Sequence, residues 1–138
     1  MAKYKKAELQ QLMKKSDFCM MTTIDGRGRL ASRPMSNNRL VDYDGTSYFF
    51  SMMDTNKVKH LKNNNNVTLT FQGEDMVFIA ARGKGKLLTS RAIMQQYWQP
   101  ELSMWFKKGI DTKGIVLIKV DAKELRYWHK QYEGSLKV

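Results

Sequence analysis

The sequence predicts a mostly-β domain in which six to seven short antiparallel strands close into a barrel, with helices inserted between them. Three observations carry this. Short runs rich in Val, Ile, Thr and aromatic residues alternate with polar positions, as in Val67-Thr68-Leu69-Thr70-Phe71. Tight turn signals separate neighbouring runs, Asp25-Gly26-Arg27-Gly28 and Gly73-Glu74-Asp75 among them, and turns that short serve antiparallel partners only. Helical spacing of apolar residues is confined to three stretches. Small antiparallel sheets of this strand number tend to close, which removes their edges.

The elements follow in order. Residues 5–15 place Leu9, Leu12 and Met13 at helical spacing, and Lys14 and Lys15 complement the C-terminal end of the helix dipole. Residues 18–24 are apolar and Thr-rich, hence a strand. A second strand runs from Leu30 to about Asn38, with Pro34 marking an edge or an irregular stretch. A turn at Asp42-Tyr43-Asp44-Gly45 leads to the aromatic strand Ser47-Tyr48-Phe49-Phe50-Ser51. Asp54 or Thr55 then caps a short helix running to about Asn63. After the strand 67–71, residues 76–88 form one long strand or two short ones, with Gly83 and Gly85 marking a bend or bulge. Ser90 caps a helix from about 91 to 107, interrupted at Pro100, and residues 115–121 and 124–130 form a closing strand pair.

The 138 residues fit one domain, 1–138, and the 42% hydrophobic and 27% charged shares are those of an ordinary globular protein. The lone Cys19 lies in the apolar run Phe18-Cys19-Met20-Met21 and reads as a core residue, and one Cys with two His gives no zinc cluster. No apolar run is long enough to span a bilayer. The basic start Lys3-Tyr4-Lys5-Lys6 has no apolar segment after it, so it does not read as a secretory signal, and the cytoplasm is the expected location. The net charge of +11 admits three readings: nucleic acid, an anionic small ligand, or a merely basic surface.

Four constellations are candidates for chemistry. In Ser32-Arg33-Pro34-Met35 an arginine on a strand can fork two hydrogen bonds onto a phosphate or carboxylate, and Pro34 interrupts the ladder beside it. Ser51 through Lys57 is a strand end leading into a helix start, where free N–H groups and the positive dipole end attract anions. Lys57 in that first turn opposes the dipole unless an anion compensates. Taken alone, each of these cations also reads as an ordinary solvent-facing charge. Trp98, Leu102, Trp105 and Phe106 recur at helical spacing, a stripe that fits core or an oligomer interface as well as a cofactor. His129 lacks a partner acid at a meaningful spacing, so it has little support as a base.

Taken in order, these pieces resemble the pyridoxamine phosphate oxidase-like, flavin-binding split-barrel family, and within it the general stress protein 26 subgroup. The resemblance rests on Thr22-Thr23-Ile24-Asp25-Gly26 with Ser32-Arg33-Pro34-Met35, on Asp44-Gly45-Thr46 with Tyr48-Phe49-Phe50-Ser51, on Lys57-Val58 followed by Leu61 and the Asn run, and on Trp98 with Trp105-Phe106. Tyr127-Trp128 also fits. It implies a split β-barrel, a homodimer with FMN at the subunit interface, and a small-molecule electron donor or acceptor. It further implies that Arg33 contacts the phosphate or ribityl chain and that backbone around Pro34 and Met35 lines the isoalloxazine. Ser51, Asn56 and Lys57 would bind the phosphate, and Trp105 and Phe106 would approach the ring. Two positions depart from the subgroup: Lys107 stands where a Pro usually follows Trp-Phe, and Asn56-Lys57 replaces a basic pair. True pyridoxamine phosphate oxidases hold substrate with a longer C-terminal segment than the one ending here at Val138, so that activity is not expected.

Two other classes compete with an FMN-dependent oxidoreductase. A basic, nucleic-acid-binding barrel without redox activity would need exposed aromatics beside Lys and Arg, and Tyr48, Phe50 and Phe71 are its candidates. A barrel that kept the fold but holds haem or a deazaflavin is the other, with two His residues offering few axial ligands.

Overall fold

The structure, a computed structural model, describes residues 4–37 and 45–138. The turn expected at 42–44, the strand end expected at Asn38, and Lys3 lie outside them. Seven strands form one curled antiparallel sheet: β1 (Phe18–Ile24), β2 (Leu30–Ser36), β3 (Thr46–Met52), β4 (Asn66–Gln72), β5 (Val77–Leu88), β6 (Ile115–His129) and β7 (Tyr132–Lys137). Three helices accompany it: α1 (Lys6–Lys15), α2 (Asn56–Asn63) and α3 (Arg91–Tyr97). The strand order is β2-β1-β4-β5-β6-β3, with β7 also on β6. This is the expected mostly-β split barrel, and β2 and β3 flank its opening.

β6 differs from expectation. The polar stretch Asp121–Glu124 reads as a turn in sequence, yet residues 115–129 are one continuous strand. Arg82 pairs with Glu124 and Gly83 with Ala122, so Lys123 is the extra residue of a β-bulge. The bulge needs glycine at its partner position, because a Cβ on Gly83 would lie 2.0 Å from the Asp121 carbonyl oxygen. The last strand, β7, was not expected. It shares an edge of β6 with β3: Ile115–Asp121 pair with β3 and Glu124–His129 with β7. Gly134 lets β7 approach, since a Cβ there would lie 2.4 Å from the Tyr127 hydroxyl. α3 is also shorter than the expected 91–107. Ser90 Oγ accepts from the Ile93 N–H as expected, but the helix ends at Tyr97 and Pro100 opens a 3-10 turn to Met104.

Two apolar clusters hold the sheet. The main core lies inside the curl and contains Leu9 and Met13 of α1, Met21, Leu69, Ile79, Val116, Ile118 and Leu125. A second cluster of Phe50, Met94, Phe106, Ile115 and Leu117 covers the opposite face of β3 and β6. Alternation along β6 serves both clusters, so Ile115–Ile118 are all buried.

Candidate functional site

The β1–β2 hairpin sets Arg33 opposite Met21. Alternation turns Cys19, Met21 and Thr23 of β1 inward, together with Met35 of β2. Arg33 shares that face: its Nη1 donates to the Thr23 hydroxyl at 2.7 Å and to the Met21 carbonyl at 3.2 Å. Thr23 is fully buried and its Oγ1 also lies 2.8 Å from Nδ1 of His60 on α2. The helix packs on β1 and β5 through Val58 and Leu61, which carries Lys57 and His60 to the same end of the hairpin.

The electrostatics are unusual in one respect. Burial lowers the pKa of Arg33, and burial followed by the nearby Arg33 charge lowers that of Lys57. Two half-buried cations therefore repel each other, and neither forms an ion pair with a carboxylate among the described residues. The start of α2 adds to the same field. Thr55 is its N-cap, but the Thr55 hydroxyl donates to the Met52 carbonyl at 2.8 Å rather than capping the helix, and the first turn holds no acid. The first helical N–H groups thus lack a side-chain acceptor. Ser51 is buried beside them, its Oγ 3.4 Å from Thr55 Oγ1. Two cations, unoccupied helix donors and a hydroxyl suit a phosphate dianion.

Of the residues expected from sequence, Arg33, Ser51 and Lys57 gather here, and Asn56 follows the cap with its side chain exposed. Pro34 and Met35 lie on β2, an end strand of the sheet order; the Met35 side chain belongs to the main core, which leaves only its backbone to meet a ligand. Trp105 and Phe106 diverge. Phe106 is buried against Phe50 and Trp98, while Trp105 is 66% exposed. A cleft of about 650 Å³ opens between the end of α1, the end of β2 at Ser36 and Asn37, the strand residues Tyr48–Phe50 and the turn at 99–102; Arg33, Ser51 and Lys57 do not line it.

Sequence reading missed Thr23 and His60 as members of this network. A signal existed for each: Thr23 continues the inward alternation of Cys19 and Met21, and His60 lies one helical turn after Lys57. It also missed the acid beside His129, because Asp75 is distant in sequence. His129 Nε2 lies 3.0 Å from Asp75 Oδ2, and its Nδ1 lies 2.6 Å from the Tyr4 hydroxyl. That cluster ties the chain start to the β4–β5 turn and shares no bond with the Arg33 network.

A family model described as "Pyridoxamine 5'-phosphate oxidase like" matches residues 4–138. No curated protein matches the sequence. Among solved structures, the chain is similar to a protein related to general stress protein 26 from Clostridium acetobutylicum, at 21% identity over 95% of this chain and 92% of that one, with a TM-score of 0.83. General stress protein 26 from Bacillus anthracis is 18% identical over 93% and 94% of the two chains, TM-score 0.77. A NimC/NimA family protein from Clostridium acetobutylicum is 18% identical over 93% and 91%, TM-score 0.72. At these identities the likeness is one of fold.

Proposed function

Because the chain belongs to the pyridoxamine 5'-phosphate oxidase-like family, we propose that it is a cytoplasmic FMN-dependent oxidoreductase with a general-stress role, acting on a small-molecule electron donor or acceptor. The observation that carries this is the Arg33–Lys57 pair: two half-buried cations with no carboxylate among the described residues to balance them. In this reading Arg33, Lys57, Ser51 and the first turn of α2 hold the phosphate, and Asn56 adds an amide at the rim. Backbone at Pro34 and Met35 and the cleft beside Phe50 receive the ring system, which supplies the redox chemistry. The protein's own part is then to bind, orient and shield it.

The same reading makes the protein a homodimer with the cofactor at the interface. Outward positions expose Phe18 and Met20 on β1 and Phe78 and Trp128 on β5 and β6, at 60%, 40%, 38% and 36%, with the polar Thr68, Thr70 and Gln72 of β4 between them. Phe78 is directly opposite Trp128, and Met20 is directly opposite Pro34. A second subunit would cover these two exposed apolar groups, and the exposed Trp105 would reach a partner's site. The nucleic-acid reading is weaker, since Phe50 and Phe71 are buried and Tyr48 stacks on Tyr97 at 3.7 Å.

The test is an absorbance spectrum of purified protein followed by FMN titration. Flavin absorbance, bleached by a reductant, with saturation at micromolar FMN is the expected result. A colourless protein that fails to bind FMN at those concentrations would overturn the proposal.

A further inference from the structure

We infer that His60 is a positioning residue of the anion site, aiming Arg33 through the Thr23 hydroxyl. This rests on the anion-site reading above.

The direction of the bonds follows from the donor inventory. A guanidinium can only donate, so in the Arg33–Thr23 bond Oγ1 is the acceptor. The one hydroxyl proton of Thr23 is then available for His60 Nδ1 at 2.8 Å. The tautomer that uses this proton is the one in which a neutral His60 accepts at Nδ1 and carries its own proton on Nε2. In that tautomer the chain Arg33→Thr23→His60 runs one way, and Thr23 is fully buried, away from bulk solvent. Without an acceptor at position 60, the hydroxyl turns toward the Met21 carbonyl, which Arg33 already uses at 3.2 Å. The aim of the guanidinium is then lost.

Sulfate is the probe, because it is a dianion with no flavin attached. His60→Gln keeps a neutral acceptor for Thr23, so at pH 8 it should bind sulfate with affinity near the wild-type value, whereas His60→Ala should bind it about five-fold more weakly or worse. Imidazole nitrogen shifts of the flavin-free protein at high pH should place the His60 proton on Nε2, and Thr23→Val should abolish that preference. Wild-type affinity in His60→Ala, a loss in His60→Gln as large as in His60→Ala, a proton on Nδ1, or no sulfate binding would each overturn the inference. These readouts need no flavin, so failure to bind FMN with the sulfate behaviour intact would remove the cofactor reading alone. His129, held by Asp75 and Tyr4, is the internal control whose signals sulfate should not move.

Discussion

Two arginines four residues apart on one hairpin have opposite settings. Arg29 sits at the β1–β2 turn with its Nε 2.8 Å from Asp25 Oδ2, and its side chain is 68% exposed. Asp25 also accepts the Arg27 and Arg29 N–H groups at 2.9 Å each, so the carboxylate finishes the turn and is fully used by it. Arg33 is half-buried and donates only to neutral oxygens among the described residues; burial, then the Arg33 charge, lowers the pKa of Lys57 at the start of α2. Arg29 has its anion within the chain. Arg33 is held by the Thr23 hydroxyl and the Met21 carbonyl, and no carboxylate among the described residues answers its charge, the state expected of a residue whose partner arrives from outside. A pair that repels in the free protein is a stability cost, which the proposed function explains as retained for binding.

The first way to break this contrast is to delete each arginine in turn. Arg33→Ala should weaken FMN or sulfate binding roughly ten- to hundred-fold, the range for hydrogen bonds to charged groups, measured by titration. Arg29→Ala should leave that affinity unchanged. Lys57→Met sharpens it next. Affinity should drop several-fold, while the ligand-free protein melts at a higher temperature, because the buried repulsion with Arg33 is gone. A lower melting temperature without ligand would mean that Lys57 is a structural residue.

The smallest effect belongs to the satisfied side. The Arg29 N–H, then the Arg27 N–H, and then the Arg29 side chain hold the Asp25 carboxyl below its usual pKa. A depressed folded pKa adds stability that is full above the unfolded value and lost as pH falls through the folded one. Asp25→Asn should therefore melt slightly earlier than wild type at pH 7. The gap should close as the pH falls below about 4, with anion affinity unaffected throughout.

How much of this was legible in the sequence follows a physical line. Arg33 and Lys57 stand at element ends, next to Pro34 and after Thr55, and local chemistry marks such places. The strands from Phe18 to Leu88 are short and punctuated by Asp-Gly and Gly-rich turns, so alternation finds them. Thr23 and His60 become partners only when α2 packs on β1, which no local pattern encodes. β6 misled because Asp121, Lys123 and Glu124 look like a turn, while the bulge that absorbs Lys123 is made by Gly83 on another strand. Trp105 and Phe106 share a motif, yet the 3-10 turn after Pro100 sends one into the second cluster and the other outward.

The most direct measurement compares FMN with riboflavin, which differs only in lacking the phosphate, on wild type and Arg33→Ala. Wild type should bind FMN at least ten-fold tighter than riboflavin, on the scale of one charge-assisted contact, and Arg33→Ala should bind the two nearly alike. Equal affinity of the wild type for both flavins, or a preference for FMN that survives Arg33→Ala, would contradict the assignment of the phosphate to Arg33 and Lys57.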